Sequence, residues 1–318
     1  MTTVRSILLG AAGALLGFRP VAAAALPEQL VVEQFGSERG LPSETITALY
    51  RDRAGFLWVG SREGLSVWDG YSVRIYEHEV GDPGSLPDNS IRTIFEDRSG
   101  RLWVGTASGG LARLDRATGH FEIFRHDPAN PASLSNDNVY AIAEDPGGAL
   151  WIGTQEGLHR FDPATRTFEK VSGVSSAYAL KLDRAGRLWI ATVGAGVVSV
   201  DPKTRRATPV TLIEADPTVF AIAEDLSGTL WFGTERALYR FDRETSSLRR
   251  AAVPELAPGK DVPIVTSLSV DARGILWMST WNRGLVAFDP ATGGSRGYRH
   301  DPQREGSLAA DRLACVVV

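Results

Sequence analysis

Histidine, carboxylate and indole build metal sites, acid–base pairs and stacking platforms, and this sequence offers each of them in recurring positions. His78, His126 and His300 could hold a metal ion. Asp52, Asp97, Asp145, Asp183, Asp225 and Asp271 could supply the paired carboxylates of general acid–base chemistry. Trp58, Trp103, Trp151, Trp189, Trp231 and Trp277 could stack on sugars or bases. The spacing speaks against all three. Each of these aspartates stands six residues before its tryptophan, and a glycine stands three before it. All six therefore belong to one phrase, Asp-x-x-Gly-x-Leu-Trp, followed by a β-branched or bulky apolar residue, a small residue and Ser or Thr. Residues at equivalent places in successive repeats point around a ring and do not converge on one another.

On that ground the aspartates are read as Asx-type turn caps, the tryptophans as wedges between repeats, and the three histidines as parts of the frame. His120 and His159 have no Cys or carboxylate at ligand spacing. There is no nucleotide loop, nucleophile motif or zinc signature. No catalytic residue, metal site or cofactor is expected.

The informative residues are those that depart from the repeat. In a ring of four-stranded blades, the turns from strand two to strand three share a face with the blade-to-blade connections and surround the mouth of the central channel. Those turns carry Arg62 and Glu63, Ser108, Gln155 and Glu156, Glu235 and Arg236, then Trp281, Asn282 and Arg283. The last three set an aromatic face, an amide and a guanidinium in one turn, a mixture that recognises polar ligands. The connections are long around Asp82–Asn89 and Asp127–Asn138 and short around Ser172–Ala177, so a binding notch is expected beside the short one.

The elements that must position these residues follow from the period. Successive tryptophans lie roughly 40 to 48 residues apart, the range of four-stranded propeller blades. In the first copy, Ile46–Tyr50 alternates as a strand, and Asp52–Gly55 is a tight turn with Gly at positive φ. Phe56–Gly60 is a nearly continuous apolar run suited to a strand covered on both faces. Leu65–Trp68 and Val73–Glu77 complete the unit. No helical periodicity appears in the mature chain.

The expected fold is all-β, a β-propeller of four-stranded blades, with six complete repeats plus the start of a seventh. Leu30–Phe35 reads as an outermost strand with no blade before it. His300-Asp301-Pro302, Ser307, Leu308 and the apolar Leu313–Val318 read as the approach to a seventh blade, which stops before its Asp-Gly turn. The ring is thus expected to be an incomplete seven-bladed one. The natural polypeptide is expected to continue, and the isolated chain to expose unpaired edges that favour aggregation.

The chain has 318 residues, 43% of them hydrophobic, enough for one large all-β domain. A net charge of -4 and a pI near 5.8 give no field for nucleic acid or acidic lipid. Arg5 precedes an apolar stretch over Ile7–Phe18, and small residues over Val21–Ala25 suit a signal peptidase, so 1–25 is read as a signal peptide and 26–318 as the propeller domain. That apolar stretch falls short of the ~20 residues a membrane span needs. Cys315 stands alone, so no internal disulfide can form.

The phrase Asp-x-x-Gly-x-Leu-Trp-Val-Gly-Thr, with Gly40-Leu41-Pro42-Ser43 before the first strand and His-Asp-Pro with Ser-Leu in the connections, resembles the two-component regulator propeller repeat. In that family such repeats form exported sensory propellers, followed by a β-sandwich module, a transmembrane helix and a histidine kinase or diguanylate cyclase. The resemblance implies a periplasmic, non-catalytic sensor portion. Its expected partner is a small polar ligand such as a carbohydrate, and the full-length receptor is expected to form a homodimer, anchored only through a C-terminal span. An exported lyase-like or hydrolase-like propeller enzyme and a protein-interaction scaffold remain as alternatives.

Overall fold

A computed structural model describes residues 26–30, 32, 35–212, 218–257 and 262–318, so the segment read as a signal peptide lies outside the described residues. Six four-stranded antiparallel blades follow one another along the chain, each with its strands in sequence order. Their innermost strands are Ile46–Arg51, Ile91–Glu96, Val139–Glu144, Ala179–Leu182, Val219–Glu224 and Val265–Val270. Successive innermost strands pack on one another in order around the ring. Two short 3-10 turns, Ser37–Arg39 and Pro254–Leu256, are the only helical elements among the described residues.

The repeated phrase builds the turn between strands one and two. In blade two, the Asp97 carboxylate accepts the backbone N–H groups of Ser99 and Arg101 on one oxygen, and the Trp103 indole N–H on the other at 2.8 Å. Gly100 donates back to the Asp97 carbonyl at φ 79°, a conformation that costs glycine little. The indole-to-carboxylate bond recurs in all six blades at 2.8 to 3.2 Å. That bond gives the Asp-to-Trp spacing of six residues its physical reason. Burial alone would raise the Asp97 pKa, but the Trp103 and Arg101 donors outweigh it and hold the carboxyl below its ordinary value.

The Leu-Trp strands are the core. Leu102–Thr106, Leu150–Thr154, Leu230–Thr234 and Leu276–Thr280 are buried along their whole length, as the apolar run predicts. In blade one the strand runs Leu57–Ser61, and Phe56, expected within it, is exposed. The tryptophans do wedge between blades. Trp103 meets Phe161 of blade three edge-on at 5.6 Å, and Trp231 meets Phe288 of blade six at 5.6 Å. Blades four and five are also joined at their rims, where Ala207–Leu212 pairs in parallel with Ser247–Arg250, giving one eight-stranded sheet.

Both ends of the described chain pack on blade six. Leu26, Leu30 and Val32 join Leu313 and Val316 in an apolar cluster with Trp277 and Tyr298. The Tyr298 hydroxyl donates to the Pro27 carbonyl at 2.6 Å, and Val32 N–H donates to the Gly306 carbonyl at 2.9 Å. Phe121 and Phe168, which open the outermost strands of blades two and three or follow directly on their start, donate in the same way to Gly84 and Ala132. Leu313 N–H reaches the Thr280 carbonyl just as Val219, the first residue of blade five, reaches Thr192. Of the strand expected over 30–35, residues 31, 33 and 34 lie outside the described residues, and the described ones carry no strand pairing.

Candidate functional site

A buried Ser or Thr that ends each second strand, or in blade four directly follows it, closes the next turn by donating its hydroxyl to a backbone carbonyl three or four residues on. Ser61 donates to Gly64, Thr154 to Gly157 and Thr280 to Gly284. These turns lie against the blade-to-blade connections: Gly64 N–H donates to the Asn89 carbonyl, Gly110 to Asp137 and Gly284 to Asp311. Turns and connections therefore share one face, where the sequence placed the candidate ligand contacts.

On that face the candidates stand in four separate blades. Arg62, Glu63, Glu235 and Arg236 are exposed. Gln155 accepts a bond at 3.2 Å from the Asn138 amide, and Glu156 accepts one at 3.2 Å from Asn136. Trp281, Asn282 and Arg283 are tied to neighbouring connections. The Asn282 amide donates to the Val262 carbonyl at 2.8 Å, Arg283 donates to the Glu255 carbonyl, and the Arg312 guanidinium lies over the Trp281 ring at 3.5 Å.

The histidines belong to the frame. His78, His126 and His300 each donate Nδ1–H to the carbonyl of Leu86, Leu134 or Leu308, eight residues on, because a carbonyl can only accept. Their backbone N–H groups are capped by Asn89, Asp137 and Asp311. His159 sits in the core of blade three with Nε2 accepting from Ser135 N–H, and burial lowers its pKa to about 4. Among the described residues no three His, Cys, Asp or Glu side chains group as a metal site.

Inside the rim lies a feature that the repeat pattern hid. In five innermost strands the pairing register slips by one residue near the start, leaving an extra residue at Thr47, Arg92, Tyr140, Phe220 and Thr266. Such bulges turn a side chain out of the ladder and recur beside binding sites. Tyr178 holds the corresponding place in blade four, directly before Ala179, its N–H donating to the Ala191 carbonyl. Four consecutive blades thereby form an arc. Arg92 lies over the Tyr140 ring at 5.6 Å, Tyr140 and Tyr178 are 5.1 Å apart, and Tyr178 meets Phe220 edge-on at 5.5 Å. Asn138 ties the Tyr140 hydroxyl to Gln155, so the arc and the rim are continuous.

The arc stands beside the short connection, where a notch was expected. Two open clefts lie on the opposite face. One of about 500 Å³ lies between blades four and five and is lined by Asp183, Arg187, Trp189 and Phe241. The other, of about 980 Å³, lies between blades three and four beside Arg160, Arg184 and Lys203. The signal that could have revealed the arc is the position that varies among Thr, Arg, Tyr and Phe at the start of each innermost strand, while the residue before it stays Ile, Val or Ala and the one after it Ala, Thr or Ser.

Three stretches, residues 40–63, 85–108 and 133–156, match the family profile of the two component regulator propeller, so the resemblance carried by the repeats is shown. No curated protein sequence matches the chain. Among solved structures it is similar to the extracellular domain assigned to the hybrid two component system BT3049 from B. thetaiotaomicron, with TM-score 0.79 and 21% identity over 90% of this chain and 39% of that one. A second, the extracellular domain assigned to the one component system BT4673 from the same organism, has TM-score 0.71 and 21% identity over 88% and 39%. Virginiamycin B lyase from Staphylococcus aureus shares the fold at TM-score 0.63 and 14% identity, over 80% and 84%. At these identities the likeness is one of fold. The chain spans about two fifths of the length of the two extracellular domains.

Proposed function

We propose that this propeller is the non-catalytic, extracytoplasmic ligand-sensing portion of a signalling receptor of the two-component or diguanylate cyclase kind. It binds a small polar ligand, of carbohydrate class among others, and passes its occupancy to an output domain across the membrane. The observation that carries this reading is the repeat itself, matched to the two component regulator propeller and folded like extracellular receptor domains. The three frame histidines favour a non-catalytic module, because each commits Nδ1 to a backbone carbonyl. No helix among the described residues is long and apolar enough to cross a membrane. Export through the segment 1–25 and anchoring through a span elsewhere in the receptor are part of the same proposal.

The two chain ends fit a seventh blade. Val32 bonds as the outermost strands of blades two and three do, and Leu313 bonds as an innermost strand does. The two middle strands of that blade would come from sequence following Val318. A chain lengthened by its natural continuation is expected to melt higher, and an unchanged melting temperature would count against seven-blade closure.

The functional test is a melting-temperature screen against small polar compounds, oligosaccharides included, with recovery of the ligand afterwards. Stabilisation with the ligand recovered unchanged, together with altered output from a receptor containing this propeller, is the expected result. A ligand recovered as product would assign the protein to propeller enzymes. A protein partner captured with no small molecule stabilising the fold would make it a scaffold. Homodimerisation of the complete receptor is checked by its mass in solution.

A further inference from the structure

We propose that the arc of Arg92, Tyr140, Tyr178 and Phe220 at the channel mouth is a binding site for a carboxylate borne on a six-membered ring. The inference rests on the ligand-sensing reading and gives that ligand its chemistry. Four observations support it. Arg92 is exposed and has no carboxylate within ion-pairing distance among the described residues, while one face of its guanidinium is supported by the Tyr140 ring. A planar guanidinium held in this way presents a fork that fits a carboxylate in two-point fashion.

Of the three aromatic residues that follow, Tyr178 is in ring contact with both Tyr140 and Phe220, and all three are only half-buried, so they form a curved wall at which a ring can lie. Bulges set Arg92, Tyr140 and Phe220 out of the ladder, which is where a strand spends regularity to aim a side chain. The wall also carries polar groups with unspent hydrogen-bonding capacity. The Tyr178 hydroxyl has no hydrogen-bond partner among the described residues, and it stays protonated, because burial raises its pKa. Ser176 Oγ and Asn138 Oδ1 are buried without a partner. These two residues hold matching places, each two positions before a tyrosine of the arc.

Two sources supply such a ligand, an acidic sugar and an aromatic acid, and the test separates them. The chain is titrated calorimetrically with galacturonate and with 4-hydroxybenzoate, each beside its uncharged counterpart, galactose and 4-hydroxybenzamide. One acid is expected to bind, with its neutral counterpart at least about tenfold weaker, the loss of one charge-assisted contact. Arg92→Gln should weaken the acid by about tenfold or more with the melting temperature unchanged, Arg92→Lys should restore part of it, and Arg74→Gln, exposed on the outermost strand of blade one, should change nothing. Tyr178→Leu should weaken binding independently of the charge. Failure of both acids at ~10 mM, equal binding of acid and neutral forms, or an unaltered Arg92→Gln variant overturns the site. If a neutral ligand drives receptor output through the Arg92→Gln variant, the site falls and the sensing reading stands. If the acid binds through Arg92 but leaves output unmoved, the site stands and the sensing reading falls.

Discussion

His159 occupies the place that Ala112 holds in blade two and Tyr239 in blade five, and the fold resists its ionisation. With Nε2 accepting from Ser135, the proton sits on Nδ1, which is buried without a partner. The folded pKa is about 4 against an ordinary 6.5, so between these values the unfolded chain takes up a proton that the folded chain refuses. Stability is complete above pH 6.5 and falls as the pH drops toward about 4, by ~3 kcal/mol at most. Asp52, Asp97 and Asp271, held below their ordinary value of 3.8, keep their contribution above that value and lose it at lower pH, so the two effects occupy different windows. Melting His159→Gln and the parent at pH 7 and pH 5 should show a smaller acid loss in the variant. An equal loss would mean that the imidazole is not the titrating group. The aspartates and tryptophans could be read in advance because a role required by every blade appears in every blade, and the frame histidines because they recur at one place in three blade connections. The indole as the partner of each aspartate could not, since spacing alone does not show which groups touch.

At the scale of strands, the small residue after Leu-Trp and its apolar follower lets the next blade approach. A Cβ on Gly153 would stand 2.4 Å from the Ala177 carbonyl oxygen, and one on Gly105 would stand 2.7 Å from Val139 Cγ1. In the first case the obstacle is backbone at the base of the arc, which no rotamer change relieves. Gly153→Ala is therefore expected to destabilise by ~2–3 kcal/mol and to displace Tyr178, seen as a lower melting temperature together with weaker acid binding. Retained affinity in a destabilised variant would separate the packing role from the site. The strands themselves were legible because their apolar runs and glycine turns repeat, and Leu65–Trp68 falls where the repeat placed it. The arc was not, because the bulge at Tyr140 or Arg92 adds one unpaired residue, and a period-two pattern cannot show which residue has left the ladder. The rim candidates were drawn from the turns alone, and only Gln155 proves continuous with the arc.

For the whole molecule, the N-terminal segment matters out of proportion to its length. Leu26, Leu30 and Val32 cover apolar surface on blade six, and removal of residues 26–35 should cost roughly 3 kcal/mol. The expected readout is a melting temperature lower by several degrees, with blade six most affected in hydrogen exchange; unchanged exchange there would mean that the segment only rests on the surface. That contact also orders events in time. The bond from Tyr298 to Pro27 joins residues 271 apart in sequence, whereas most pairing within a blade is local. During synthesis each blade can form as it leaves the ribosome and rest on the one before, but the first residues of the domain must wait for nearly all the others. The ring is thus assembled in one direction and latched last, by the part of the chain that was made first.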